Sequence, residues 1–211
     1  MCGRFAVIST PEMLAAVFGL EALLPVSSMF EVTPRYNIPP SLPILAVRVE
    51  TAGPAAGRRT PVMLQWGLVP SWAKDRTIGN RLINARAETA AEKPSFRTPL
   101  KRKRCIVPAD AYYEWKTTGK KKQPYAFRLK DGKPMGLAGL WDSWEGGDGS
   151  VLETCALMTT EPNAVAATVH DRMPVIVKPG DYDFWLDPEM QDAAALRDIL
   201  DKPFPSEAMR C

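Results

Sequence analysis

With 211 residues, 45% of them hydrophobic and 24% charged, the chain suits one cored domain, and no apolar run approaches the ~20 residues of a membrane helix. Its net charge of +3 is uneven: residues 1–130 hold 21 Lys/Arg against 9 Asp/Glu and residues 131–211 hold 6 against 15, so the basic front points to a polyanionic partner. Four scattered cysteines (Cys2, Cys105, Cys155, Cys211) and one histidine argue against a secreted disulfide framework and a zinc site, so no metal and no cofactor is expected.

The chain opens Met1-Cys2-Gly3-Arg4-Phe5. A small second residue is what methionine aminopeptidase needs, and loss of Met1 leaves Cys2 with a thiol and a free α-amine on adjacent carbons. That 1,2-aminothiol attacks an aldehyde twice: the amine forms an imine, then the sulfur closes a thiazolidine ring. Reference pKa values of about 7.7–8.0 for the amine and about 8.5 for the thiol let both act near neutral pH without a metal. A cysteine that merely follows the start codon is the alternative. No basic-then-apolar signal precedes it and position 2 is not the glycine of a myristoylation site, so a cytoplasmic protein is expected.

Thr10-Pro11-Glu12 predicts a helix start, with a capping hydroxyl, proline at the first helical position and an acid in the first turn. Leu14, Val17 and Phe18 share a face and Gly19 is a stop. Pro34, Pro39, Pro40 and Pro43 predict an extended loop around Arg35-Tyr36-Asn37. Strands are predicted over 44–49, 62–69, 106–107, 112–116, 125–129, 136–141, 152–158 and 174–177, with turn chemistry at Gly119, Asp131-Gly132 and 145–149. Residues 85–92, 163–169 and 193–200 have helical composition. Many strands, few helices and no β-α-β alternation predict an α+β domain: one unit over 1–211 with a curled, mostly antiparallel, barrel-like sheet and a few flanking helices.

Four stretches can carry chemistry. Asn84-Ala85-Arg86-Ala87-Glu88-Thr89, between a strand and a helix, can offer an amide and a guanidinium to a ligand, or can be a helix cap beside a surface arginine. Phe96-Arg97 and Lys101-Arg102-Lys103-Arg104 put five cations into eight residues beside a ring. With Trp66 and Trp72 that composition suits single-stranded nucleic acid, where rings stack on bases and cations follow phosphates. Tyr112-Tyr113-Glu114-Trp115-Lys116 embeds a carboxylate among aromatics. Pointing inward, Glu114 is a general acid/base; pointing outward it is an ordinary strand glutamate. His170-Asp171-Arg172-Met173-Pro174 holds the lone histidine next to an acid able to fix its tautomer.

Taken in order, these pieces resemble the SRAP (SOS response-associated peptidase) family, which senses and shields abasic sites in single-stranded DNA. The matching residues are Met1–Phe5, Arg35-Tyr36-Asn37, Trp66-Gly67, Pro70-Ser71-Trp72, Asn84–Thr89, Phe96-Arg97, Cys105–Lys116, Gly139-Leu140-Trp141 and His170–Pro174. The resemblance implies an exposed Cys2 as nucleophile toward the ring-opened deoxyribose, Asn84 as its positioner, Glu114 as acid/base and His170 as proton shuttle. It further implies DNA contacts at Gly3, Arg4, Asn37, Trp72, Arg86, Phe96, Arg97 and Arg172, with Phe96 a base wedge preceded here by the small Ser95. The expected partner is single-stranded DNA containing abasic sites, bound by a monomer that joins the nucleoid when engaged. Strand cleavage by a lyase route and self-processing are the accompanying activities it suggests. Two other readings remain: an amidohydrolase using Cys2 as N-terminal nucleophile, and a non-covalent single-stranded DNA-binding module.

Overall fold

The protein's structure, a computed structural model, describes residues 2–20 and 33–211. Met1, whose removal the sequence leads one to expect, lies outside the described residues. The strands are β1 (Phe5–Val7), β2 (Arg35–Ile38), β3 (Pro43–Val49), β4 (Arg59–Trp66), β5 (Asn84–Arg86), β6 (Arg104–Ala109), β7 (Ala111–Thr118) and β8 (Lys121–Leu129). They continue with β9 (Met135–Glu145), β10 (Val151–Thr160), β11 (Met173–Pro174), β12 (Ile176–Val177) and β13 (Met209–Arg210). The helices are short: α1 (Pro11–Phe18), α2 (Ala87–Ala90), α3 (Arg97–Arg102), α4 (Tyr182–Leu186) and α5 (Arg197–Leu200).

Five strands close on themselves. β3 pairs with β4 and β6, β6 with β9, and β9 with β10, all antiparallel; β10 then returns to β4 in parallel. Closure leaves no bare edge inside the ring and buries one face of every strand. β6 is buried along its whole length, because its outer face is covered by α3 and α4. A second, open sheet runs β13-β8-β7-β1-β2, antiparallel throughout. The fold is thus α+β, with a mostly antiparallel, barrel-forming sheet and few helices.

Several local expectations hold for local reasons. α1 starts where Thr10 Oγ1 accepts from the Met13 amide at 3.3 Å, and it ends at Gly19, whose φ of 65° is left-handed.

Others are overruled by pairing. Arg35–Ile38 is strand β2 and not a loop, since β1 needs a partner and Phe5 sits opposite Ile38. The strand expected over 62–69 runs Arg59–Trp66, because Gly67 turns the chain: its φ is 132°, and a Cβ there would meet the Gly79 carbonyl oxygen at 2.7 Å. Residues 85 and 86, expected to begin a helix, belong instead to β5, which zips in parallel onto β10. The stretch 174–177 splits at Val175, whose N–H serves β10 (Met158 O, 2.9 Å) and whose carbonyl serves β9 (Ala138 N, 2.9 Å).

Two residues read as surface features belong inside. Trp66 is fully buried, donates its Nε1–H to Ile83 O at 2.9 Å and packs edge-on against Phe5, so it is core and no platform for bases. Arg104, expected in a solvated cationic run, is buried and donates to four backbone carbonyls, those of Leu100, Lys101, Trp185 and Asp187. It thereby satisfies the orphan carbonyls at the ends of α3 and α4 and ties both helices to β6. Burial pushes its guanidinium down to about 10, which leaves it charged at neutral pH.

Candidate active site

The N-terminal segment is pinned along its length before it reaches Cys2. Arg4 O accepts from Tyr113 N at 2.9 Å and Ala6 O from Asp110 N at 2.8 Å, which fixes β1 against β7. The Asp110 carboxylate then accepts from the amides of Ile8 (2.6 Å) and Ser9 (2.9 Å) and from the Ser9 hydroxyl. Because its amide and its carboxylate both serve this segment, Asp110 works as a clamp.

Cys2 is buried and not exposed as the resemblance implied. Its Sγ lies 4.0 Å from Arg4 O, and its carbonyl accepts from Asn84 Nδ2 at 2.9 Å. Burial pushes its thiol up to about 12; the charge of Glu114 adds to that and the N-terminal charge opposes it. The resting sulfur is therefore a thiol at neutral pH, and it needs a base when it attacks. Asn84 arrives on β5, held opposite Leu157 of β10. Its Oδ1 is buried with no hydrogen-bond partner among the described residues, an acceptor left open beside Cys2.

Glu114 settles the inward-or-outward question: it is 3% exposed, on β7. Its Oε2 lies 3.7 Å from His170 Nε2. The two side chains line an open cleft of about 830 Å³ together with Lys116, Lys122, Val169 and Asp171. The His170 ring is oriented by its neighbours. Nδ1 accepts from the Arg172 amide at 3.0 Å, and Nε2 is the ring nitrogen nearest Glu114. Asp171 Oδ1 lies 2.8 Å from the same Nδ1.

Cys2, Asn84, Glu114 and His170 thus come together at the seam between the open sheet (Cys2 just ahead of β1, Glu114 on β7) and segments attached to the barrel (Asn84 on β5, His170 on the loop before β11). The expected DNA contacts divide. Arg4 and Asn37 sit side by side, Arg4 Nη1 donating to Asn37 Oδ1 at 2.9 Å, next to the half-buried Gly3. Arg86 and Arg97 are exposed. Trp72 is 58% exposed on a loop braced from the barrel: Val69 N donates to Thr154 Oγ1 (2.7 Å), Ser71 N to Asp142 Oδ2 (2.9 Å), and Trp144 Nε1 to Ala73 O (2.7 Å).

Phe96 and Arg172 differ from expectation. Phe96 is buried in the core where it opens α3, so it does not stand ready as a wedge. Arg172 forms a two-pronged pair with Glu88 (2.6 and 2.9 Å) and donates to Thr159 O at 2.7 Å, which anchors the His170 loop to α2 and β10. That guanidinium holds the Glu88 carboxyl below the usual range.

Sequence reasoning missed Asp110 and Asp142. The signal was present, since each acid adjoins an apolar run (Ile106–Ala109 ahead of Asp110, Gly136–Trp141 ahead of Asp142), and a buried carboxylate needs donors. Among the described residues, no three His, Cys, Asp or Glu side chains gather to hold a metal ion, and no helix is long and apolar enough to cross a membrane.

Against known proteins, a family model described as SOS response associated peptidase (SRAP) matches residues 1–211. The chain is 41% identical over 210 residues to the abasic site processing protein YoqW of Bacillus subtilis (strain 168), covering 99% of this chain and 90% of that one. It is also 41% identical to the abasic site processing protein YoaM of the same organism, covering 99% and 88%. A crystal structure of a protein from Bacteroides thetaiotaomicron superposes with a TM-score of 0.85 at 28% identity, covering 99% of this chain and 90% of that one.

Proposed function

The chain belongs to the SOS response associated peptidase family, and on that premise we propose that it processes abasic sites in single-stranded DNA by forming a covalent thiazolidine through Cys2. The observation that carries the reading is the seam: a buried Cys2 held by Asn84, with Glu114 close enough for its charge to be felt at the thiol and His170 beside Glu114.

An abasic sugar is mostly a closed hemiacetal, so the reaction begins by opening it. Glu114 takes the proton of the C1 hydroxyl while a protonated His170 gives its Nε2 proton to the ring oxygen and returns to the neutral ring, giving the C1 aldehyde. With Met1 removed, the Cys2 α-amine adds to C1 and water leaves, forming an imine. Glu114 gives its proton to the departing hydroxyl as that water leaves, so the imine forms protonated; the thiol then gives its proton to the freed Glu114 carboxylate and its sulfur pair to C1, leaving a neutral ring nitrogen. The balance is aldehyde plus aminothiol to thiazolidine plus one water. Holding the partners in place supplies effective molarities of roughly 10⁵–10⁸ M in favourable cases.

The imine stage also opens a lyase route, because loss of the proton beside it expels the 3′ phosphate. Ring closure removes the imine and shields the strand. Cleavage of the bond ahead of Cys2 in cis is the peptidase step that fits this site. Arg4, Asn37, Arg86, Arg97 and Trp72 supply the strand contacts, Gly3 gives the backbone close approach, and Arg172 positions His170.

The test is a denaturing gel of purified protein mixed with a single-stranded oligonucleotide bearing one abasic site, beside Cys2→Ala and an intact-mass spectrum. A shifted band that requires Cys2 is expected. Absence of that band from protein shown by mass to lack Met1 overturns the covalent reading.

A further inference from the structure

We propose that the tip of the β7–β8 hairpin is a second nucleic-acid contact, a set of four lysines (Lys116, Lys120, Lys121, Lys122) that grips the phosphates of the single strand leaving the cleft. Its location rests on the reading of the cleft as the sugar site; the existence of the contact does not.

The hairpin pairs as far as Thr118 opposite Lys121 and turns through Gly119-Lys120, with Gly119 at φ 61° as such a tight turn needs. β1 covers β7 only at Ala111 and Tyr112, and β13 covers β8 only at Arg128 and Leu129. Among the described residues, the outer hairpin is therefore a two-stranded extension of the open sheet with no third strand paired to it. All four lysines on it are exposed, and among the described residues none has a carboxylate within ion-pair distance.

The cationic run of residues 97–104 is partly used up inside the fold. Arg104 is internal, and Lys103 is paired with Asp142 at 2.6 Å. The hairpin thus carries a dense group of un-neutralised charge.

Its placement is what points to a ligand. Lys116 and Lys122 line the same cleft as Glu114 and His170. Strand alternation puts Lys116 on Glu114's face, two residues or about 7 Å further along. A sugar held at Glu114 brings an adjoining phosphate within reach of Lys116, and the following phosphates run out toward Lys120–Lys122. Lysines also blunt open strand edges against pairing with other chains, and that role alone would not require them to line the cleft.

The experiment measures equilibrium binding of the full-length protein to an intact, undamaged single-stranded oligonucleotide, by fluorescence anisotropy across a salt series. Each phosphate contact on a single strand contributes about 0.7 to the slope of log K against log salt. The quadruple variant K116Q/K120Q/K121Q/K122Q is expected to lose about 3 from that slope, and K116Q alone about 0.7. A control that removes charge elsewhere, K130Q/K133Q/K178Q, is expected to keep the wild-type slope. An unchanged slope in the quadruple variant, or an equal fall in the control, overturns the proposal. A fall seen only on duplex DNA overturns the single-strand assignment. Because the oligonucleotide has no abasic site, loss of the Cys2 crosslink with the slope change intact sinks the covalent reading and leaves the lysine contact standing.

Discussion

The closed barrel and the open sheet solve different problems. In the barrel each of β3, β4, β6, β9 and β10 has at least two strand partners, and side chains such as Leu64, Trp66, Ile106 and Leu157 on these strands are buried. In the open sheet β1 is three residues long and β13 two, and β7 and β8 run on past their neighbours into water. The open sheet, with its unfilled edges, carries Cys2, Glu114 and the lysine ribbon. The candidate site lies where the two meet: the side of the open sheet brings Cys2 and Glu114, and the side of the barrel, through β5 and the His170 loop, brings Asn84 and the imidazole.

That division can be tested by making changes on either side. Glu114→Gln keeps the side chain's shape and removes its proton transfer. Crosslinking to an abasic oligonucleotide is expected to slow by about 10²–10⁴-fold while the urea midpoint stays close to wild type. A normal rate would remove Glu114 from the chemistry. Leu64→Ala on the barrel side should do the reverse, costing about 2–5 kcal/mol in urea unfolding with the crosslinking rate kept in dilute buffer. Equal damage to rate and stability would show that the two regions are not separable.

Trp72 lies between these extremes, an exposed ring on a loop braced from the barrel. Trp72→Ala is expected to weaken single-strand affinity by about 1–3 kcal/mol in anisotropy titrations. No loss would leave the bracing by Asp142 and Trp144 without a purpose in binding.

Alkaline unfolding compares the two regions through their thiols. Burial pushes Cys2 in the site and Cys105 in the barrel up to about 12, against 9.0 for a free thiol. Below pH 9 both are protonated in the folded and unfolded chains and add no slope. Between pH 9 and 12 the unfolded chain sheds protons that the folded chain keeps, so stability falls as pH rises, by about 1.4 kcal/mol per pH unit for each thiol. Cys2→Ala and Cys105→Ala should each remove one increment in urea titrations at pH 8.5, 9.5 and 10.5. A Cys2→Ala slope equal to wild type would mean that Cys2 leaves its buried position before the barrel opens.

Much of this was legible in residues near one another in the chain. The Thr10 cap, the Gly19 stop and most of the strand positions follow from spacing and turn chemistry, which act over a few residues. The aminothiol potential of Cys2 follows from its position alone, and the motif order from Cys2 to Pro174 marked the family. The misreadings share a cause. Trp66, Phe96 and Arg104 look like DNA-facing groups in composition, and each is inside because a distant segment covers it or supplies its acceptors.

The sequence by itself determined the reactive group, the helix ends and the alternation that makes β strands, since those are properties of local backbone and side-chain chemistry. Only the tertiary structure decided that β10 closes the ring in parallel against β4, that Glu114 faces inward and that Asp110 clamps β1. It also decided that Arg172 holds a loop in place. Each of these depends on partners tens of residues away, chosen by which pairing buries the most apolar surface while leaving every buried charge a donor or acceptor.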